Sequence, residues 1–294
     1  MIRHFESSFG TVEFSDEGPD SSIDKPAADP VVLFHGFTGA KESWIGLRDE
    51  LKRCYRVIAV DLPGHGGTDC GSAITNYSLE AAAAAVKSAL VEGAKLNRFA
   101  LVGYSMGGHL ALFFALQYAA LVSKLVLESA SPGIAEPKER HERHKSDRDL
   151  ADLIETAGVE AFVDKWERIP LFESLSKLPA DERARLRRQR MKCSAQGLAL
   201  SLRGMSVGAQ PWLGDRLQEL TMPVLIVAGE LDRKYVEIAR AMAARIPDAR
   251  IDVVGGAGHV LHIESSGVFN RLVADFLELA AHTDQISRRV SNVD

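Results

Sequence analysis

The chain has 294 residues, enough for one large domain or for one domain carrying a sizeable insertion. Hydrophobic residues make up 46% and charged residues 26%, an ordinary balance for a soluble globular protein, and a net charge of −5 gives no reason to expect nucleic acid or a membrane as partner. The widely spaced cysteines Cys54, Cys70 and Cys193 form neither a C-x-x-C ligand pair nor a disulfide framework, which fits a reducing compartment. The opening Met1-Ile2-Arg3-His4-Phe5-Glu6 is too polar for a secretory signal, and no apolar run approaches the roughly 18 residues of a spanning helix. A cytoplasmic location is the expectation.

Phe5 to Phe14 alternates loosely around Gly10 and predicts an edge hairpin, followed by a loop over Ser15–Pro30 rich in Asp, Ser and Pro. The pattern then changes. Val31–Phe34, Val57–Val60, Phe99–Val102, Leu125–Leu127, Val224–Val227 and Arg250–Val254 are short apolar runs, as strands covered on both faces require. Helical segments separate them: Trp44–Leu51, a helix capped by Ser78 and reaching about Leu90, His109–Leu121, Val236–Arg245 and Val268–Ala280. Strands alternating with helices predict a mostly parallel sheet with helices on both faces. Between Pro132 and Trp212 the strand pattern stops and the sequence is charged and helical, which predicts an insertion over the carboxyl edge of the sheet, where ligands bind in open α/β folds. The expected organisation is a core of residues 1–131 and 213–282, a helical lid of residues 132–212, and a polar, fraying tail of residues 283–294.

Three motifs lie just beyond strand ends. Gly103-x-Ser105-x-Gly107 joins an apolar strand to what reads as an amphipathic helix, the setting of a nucleophile elbow: the turn leaves no room for side chains two residues either side of the serine. A serine nucleophile needs a base and the base an orienting carboxylate. Asp232, in Gly229-Glu230-Leu231-Asp232, and His259, in Gly255-Gly256-Ala257-Gly258-His259, follow in the order Ser, Asp, His. The plainer readings are a helix N-cap for Asp232 and a solvated loop residue for His259, with Glu230 and His262 as weaker substitutes. His35-Gly36-Phe37 marks the second half of an oxyanion hole, in which the N–H of Phe37 joins that of Met106, while His35 holds the loop. In the insertion, Arg183, Arg185, Arg187, Arg188, Arg190 and Lys192 crowd together, and Arg140, Arg143, Lys145 and Arg148 form a second, mixed cluster. Most such residues belong to a solvated face, although an arginine pointing down from a lid could meet a carboxylate bidentately.

Nearly the whole chain resembles the 2-succinyl-6-hydroxy-2,4-cyclohexadiene-1-carboxylate synthases of menaquinone biosynthesis. The resemblance is most specific at Leu127–Ile134, Phe162–Glu167, Gly197–Met205, Gln210-Pro211 and Gly229–Asp232. It implies an α/β-hydrolase fold and a lyase step. A proton next to the succinyl carbonyl of a cyclohexene precursor is removed, and the enolpyruvyl group leaves as pyruvate, with no metal or organic cofactor. Ser105 would be the base, poised by His259 and Asp232. Matching positions imply Arg143 and Arg190 for the carboxylates of a small anionic substrate, with Trp166 and Tyr104 lining the pocket. One departure stands out: His109 occupies a place where the family usually has a substrate-binding arginine. One turn after Ser105, it is expected at the same pocket rim, only partly charged at neutral pH. That departure keeps open an esterase or carbon–carbon-bond hydrolase with Ser105 as covalent nucleophile, and a non-catalytic ligand receptor on the same fold. The sequence specifies neither a monomer nor a homo-oligomer.

Overall fold

The computed structural model describes residues 1–19 and 28–290, with side chains described through residue 278. Eight strands form one sheet in the order β1-β2-β4-β3-β5-β6-β7-β8. They are β1 (Ile2–Ser7), β2 (Gly10–Glu17), β3 (Val31–Phe34), β4 (Val57–Val60), β5 (Phe99–Tyr104), β6 (Val122–Glu128), β7 (Val224–Gly229) and β8 (Ala249–Val254). The hairpin β1–β2 and its junction with β4 are antiparallel, and every other pairing is parallel. The predicted hairpin is present, but β2 runs further than expected: Ser15, Asp16 and Glu17 pair with Ala59, Ile58 and Val57 instead of opening a loop. Strand pairing has overridden their local loop preference. The rest of the predicted loop, from residue 20 to residue 27, lies outside the described residues.

The helices are α1 (Ile45–Leu51), α2 (Leu79–Ser88), α3 (Met106–Gln117), α4 (Pro137–Trp166), α5 (Ala180–Met191), α6 (Ala195–Met205), α7 (Arg233–Ala243), α8 (Leu261–Glu264) and α9 (Ser266–Val290). Alternate residues of each central strand face opposite cores, the consequence of a two-residue side-chain period. Val32, Phe34, Leu101, Leu127 and Ile226 pack with α2, α3 and α7, whereas Val31, Leu33, Val102, Val126 and Val227 pack with α1, α8 and α9. Both faces are therefore covered, and β3, β4, β5 and β7 are buried along their whole length.

Helix α3 corrects one expectation. It starts at Met106, earlier than predicted, and is not amphipathic: every residue from Gly107 to Ala115 is buried. It lies inside the molecule, between the sheet and neighbouring helices, so it has no solvent face for polar residues to mark. Helix α9 also departs from its predicted end, its backbone continuing through the stretch read as a fraying tail to Val290.

No strand interrupts the interval between β6 and β7. Its helices have a small core of their own, in which Ala151, Ile154, Phe162 and Val163 of α4 meet Leu198, Ala199 and Leu202 of α6. Gly158, at φ 83° and ψ 173°, breaks α4 into two helices.

Behind the loop that follows β3, a buried ionic cluster ties distant strands together. The Lys41 ammonium, 6% exposed, meets Asp61 at 2.8 Å and Glu13 at 2.5 Å, and Asp61 also accepts the N–H groups of Lys41 and Gly67. Burial opposes charge on Asp61, but the Lys41 ammonium and these hydrogen bonds hold its carboxyl below the usual range. Asp61→Ala leaves a buried cation short of a partner and is expected to cost about 3 kcal/mol in urea unfolding. Adding Lys41→Met should recover part of that loss, and a double variant no more stable than the single one would show that the cluster does not act through charge.

Candidate active site

Ser105 sits between β5 and α3 with φ 51° and ψ −111°, a region most L-residues avoid. The surrounding glycines permit this conformation. A Cβ at Gly103 would lie 2.5 Å from the carbonyl oxygen of Gly107, and one at Gly107 would lie 2.3 Å from that of His35. The Ser105 N–H donates to the Glu128 carbonyl at the end of β6 (2.9 Å), and the Ser105 carbonyl accepts the His109 N–H (2.9 Å). The hydroxyl is thus presented at the carboxyl edge of the sheet, above a helix N-terminus.

Ser105, His259 and Asp232 form one hydrogen-bonded line. His259 Nε2 lies 3.1 Å from Ser105 Oγ, and its Nδ1 lies 2.6 Å from Asp232 Oδ2. With Nδ1–H directed at the carboxylate, Nε2 can accept the serine proton. Asp232 fulfils both of its readings, because its other oxygen accepts the Tyr235 N–H at 3.4 Å and caps α7. His259 is no solvated loop residue, being 1% exposed. The substitutes point elsewhere: Glu230 is exposed and accepts the Gly256 N–H, and His262 donates to the buried carboxylate of Glu128.

The loop after β3 completes the floor. His35 Nε2 accepts the Leu62 N–H at 3.0 Å and its Nδ1–H donates to the Gly36 carbonyl at 2.8 Å, so the imidazole braces the loop. The Phe37 ring is wedged edge-on against His65, Phe162 and Trp166. Phe37 and Met106 both line the pocket above Ser105. Met106, the first residue of α3, has no intrahelical acceptor for its N–H.

The pocket draws its roof from the segment between β6 and β7. Trp166, Phe172, Ser201 and Met205 line it together with Tyr104, Tyr235 and His259. Arg143 brings the one permanently charged side chain found among its described lining residues, with Nε held by Asp147 at 2.7 Å. Arg190 lies next door. It lines an adjoining cavity with Tyr104 and His262, bonds Glu167 at 3.0 Å, and sits over the Phe172 ring. Of its sequence neighbours, Arg187 pairs with Asp164 and Glu167 and Arg185 with Glu182, as a solvated face would.

His109 corrects a second expectation. It is 2% exposed, does not line the pocket, and points its Nδ1–H at the Ser131 carbonyl at 2.8 Å. One helical turn from Ser105 carries it beneath the strand-end loop, because α3 is itself buried. Burial lowers its pKa to about 4, so it is neutral at physiological pH. Sequence reading also missed Tyr235 and Phe172. The signal available for Tyr235 was its place three residues after Asp232 on a helix, hence on the same face. Phe172 lies in a one-turn-at-a-time 3₁₀ segment, Pro170–Lys177, whose direction no periodicity announces.

Comparison with known proteins agrees with this architecture. A model of the alpha/beta hydrolase family matches residues 31–272. The chain belongs to the alpha/beta hydrolase family. Within it, the chain is 31% identical to the 2-succinyl-6-hydroxy-2,4-cyclohexadiene-1-carboxylate synthase of Salmonella agona, over 84% of this chain and 94% of that one. A Bacillus subtilis protein that carries the same synthase name provisionally is 43% identical, over 90% of this chain and 93% of its own. The solved structure of MenH from S. aureus superposes with a TM-score of 0.84 at 34% identity, covering 90% of this chain and 97% of that one.

Among the described residues, no cluster of His, Cys, Asp or Glu is arranged to hold a metal, and no helix is long and apolar enough to cross a membrane. The cysteines are unpaired, and burial pushes the thiols of Cys70 and Cys193 up to about 12 and about 11.

Three histidines around this site, His35, His65 and His109, are held neutral by burial, with pKa values below 6.5. In the unfolded chain each takes up a proton near pH 6.5, whereas in the folded chain it does so only at lower pH. Stability is therefore complete above pH 6.5 and declines as pH falls. His109 alone should cost about 2 kcal/mol by pH 5. The melting temperature is expected to drop from pH 7 to pH 5, and His109→Asn to flatten that profile. An unchanged slope in the variant would mean that His109 protonates freely in the fold.

Proposed function

We propose that the chain is a 2-succinyl-6-hydroxy-2,4-cyclohexadiene-1-carboxylate synthase, a lyase of menaquinone biosynthesis that eliminates pyruvate from 2-succinyl-5-enolpyruvyl-6-hydroxy-3-cyclohexene-1-carboxylate. What carries the reading is the meeting in one pocket of the Ser105–His259–Asp232 line with Arg143, in a chain that matches proteins named as synthases nearly end to end. The elimination breaks the C2–H bond beside the succinyl carbonyl. Its electron pair becomes the C2–C3 double bond, the ring double bond moves to C4–C5, and the C5–O bond breaks. Ser105 Oγ takes the proton as its own passes to His259 Nε2, and Asp232 stabilises the imidazolium. A proton returned to the departing enolate completes pyruvate. The N–H groups of Phe37 and Met106 serve the charge that develops on the succinyl oxygen, the electrostatic task they would have in acyl transfer.

Arg143 is the carboxylate anchor in this reading, and Trp166 and Tyr104 shape the pocket. Arg190, on the far side of Tyr104 and Phe172, receives a second carboxylate if the substrate extends into the adjoining cavity. Residues 132–212 form the lid over a core of residues 1–131 and 213–282. Free thiols suit the reducing cytoplasm, with a small anion as substrate.

The direct test is incubation with the enolpyruvyl precursor, coupled to lactate dehydrogenase to detect pyruvate. Ser105→Ala and His259→Ala should each lower turnover by about a thousandfold or more at unchanged melting temperature, since the members act as a unit. Arg143→Ala should raise KM by about tenfold with a smaller change in kcat, and lysine should rescue it poorly, lacking the planar fork. Absence of pyruvate, with an acyl-enzyme burst on an activated ester, would replace the synthase reading by that of a serine hydrolase. Ligand binding without turnover of either compound would leave a receptor.

A further inference from the structure

Tyr235 contacts Asp232 and His259 and lines the pocket, yet no motif points to it. Its backbone N–H donates to Asp232 Oδ1 at 3.4 Å. Its ring stands edge-on to the His259 imidazole, with centroids 4.6 Å apart at 65°. It lines the pocket that holds Ser105 and Arg143. These contacts differ in what they ask of the side chain. The backbone bond needs no side chain at all, and the imidazole contact needs only an aromatic ring, which phenylalanine would supply.

The hydroxyl is left over. Among the described residues it has no hydrogen-bond partner, and it is not sealed away from solvent. On a residue that lines the pocket, it is an unused donor. Arg143 is near enough for its positive charge to oppose the rise in the Tyr235 pKa that burial and Asp232 cause, so the phenol keeps its proton at neutral pH. The guanidinium is tethered to Asp147 through Nε alone, and its terminal N–H groups have no partner among the described residues. A neutral O–H and a guanidinium edge on two residues that line one pocket are complementary to a carboxylate, whose two oxygens can accept from both.

We propose that the Tyr235 hydroxyl and the Arg143 guanidinium form one carboxylate-binding subsite, which makes Tyr235 a specificity-determining residue of the pocket. As far as it concerns turnover, this rests on the synthase reading above. The shared chemistry is a carboxylate on a short chain, so a small oxo-acid serves as a probe independent of that reading.

The experiment compares Tyr235→Phe, Tyr235→Leu and Arg143→Lys, singly and with Tyr235→Phe and Arg143→Lys combined. It measures KM and kcat for pyruvate release, and calorimetric titration with 4-oxopentanoate. Removing a hydrogen bond to a charged group should raise KM about tenfold or more in Tyr235→Phe, with kcat within a few-fold of wild type. Tyr235→Leu should lower kcat as well, because it also removes the ring that supports His259. A merely structural tyrosine would show no such split between the two variants. With a shared carboxylate, the combined variant should lose less than the product of the single losses. Weaker oxo-acid binding in Tyr235→Phe, in a protein that releases no pyruvate, would uphold the subsite while removing the synthase reading. Equal KM and equal oxo-acid affinity in Tyr235→Phe and wild type would overturn the proposal, as would fully multiplicative losses.

Discussion

The backbone at Ser105 can hold its left-handed conformation only because two glycines let three segments of chain come together. Gly103 at the end of β5 and Gly107 in the first turn of α3 each sit where a Cβ would collide with a carbonyl oxygen, one across the turn and one in the loop after β3. The close approach at Gly107 sets where that loop runs, and Phe37 of the loop and Met106 at the start of α3 line one pocket. The turn also directs α3 into the interior, where its burial on all sides leaves the helix no freedom to drift. Strain at one serine is sustained by the packing of the whole sheet against that helix.

The chemistry is added to this frame from different strand ends. Parallel strands bring the residues after β3, β5, β7 and β8 to one edge, and this is why residues as far apart as Phe37 and His259 can share a pocket. The polar groups are tuned by what covers them. His35 and His109 are neutral braces bonded to backbone, whereas His259 has a carboxylate on one nitrogen and a serine on the other. The same side chain thus has two kinds of role within one site, decided by its partners. The roof, by contrast, comes from helices with their own small core. The pocket-lining residues Arg143 and Trp166 belong to that layer, so the lining can vary while the Ser105–His259–Asp232 line below stays intact.

The adjoining cavity makes Phe172 and Tyr104 a shared wall between two cationic environments, Arg143 on one side and Arg190 on the other. Each cation is partly neutralised by an acid of the helical segment, Asp147 or Glu167. That limits the cost of holding a guanidinium in a partly desolvated site, while terminal N–H groups remain for a ligand.

The order of strands and helices, the elbow and the sequence of Ser105, Asp232 and His259 were legible because each rests on local chemistry: apolar runs of strand length, glycines where side chains cannot fit, and a fixed chain order of nucleophile, acid and base. Choices between similar residues were not. Glu230 and Asp232 lie two positions apart, as do Arg188 and Arg190, and only the tertiary structure decides which member of each pair turns inward. His109 shows the limit most clearly. Helical spacing placed it one turn from Ser105, but spacing cannot say that α3 is buried on every side, so the sequence suggested a pocket rim where the fold has a buried, neutral brace. Tyr235 shows the converse: three residues beyond Asp232 it has no motif of its own, and it enters the site only because β7 and β8 carry Asp232 and His259 to the same edge. Local pattern determined which residues could perform the chemistry. Burial and the meeting of strand ends, which depend on contacts distant in sequence, decided which of them face the pocket.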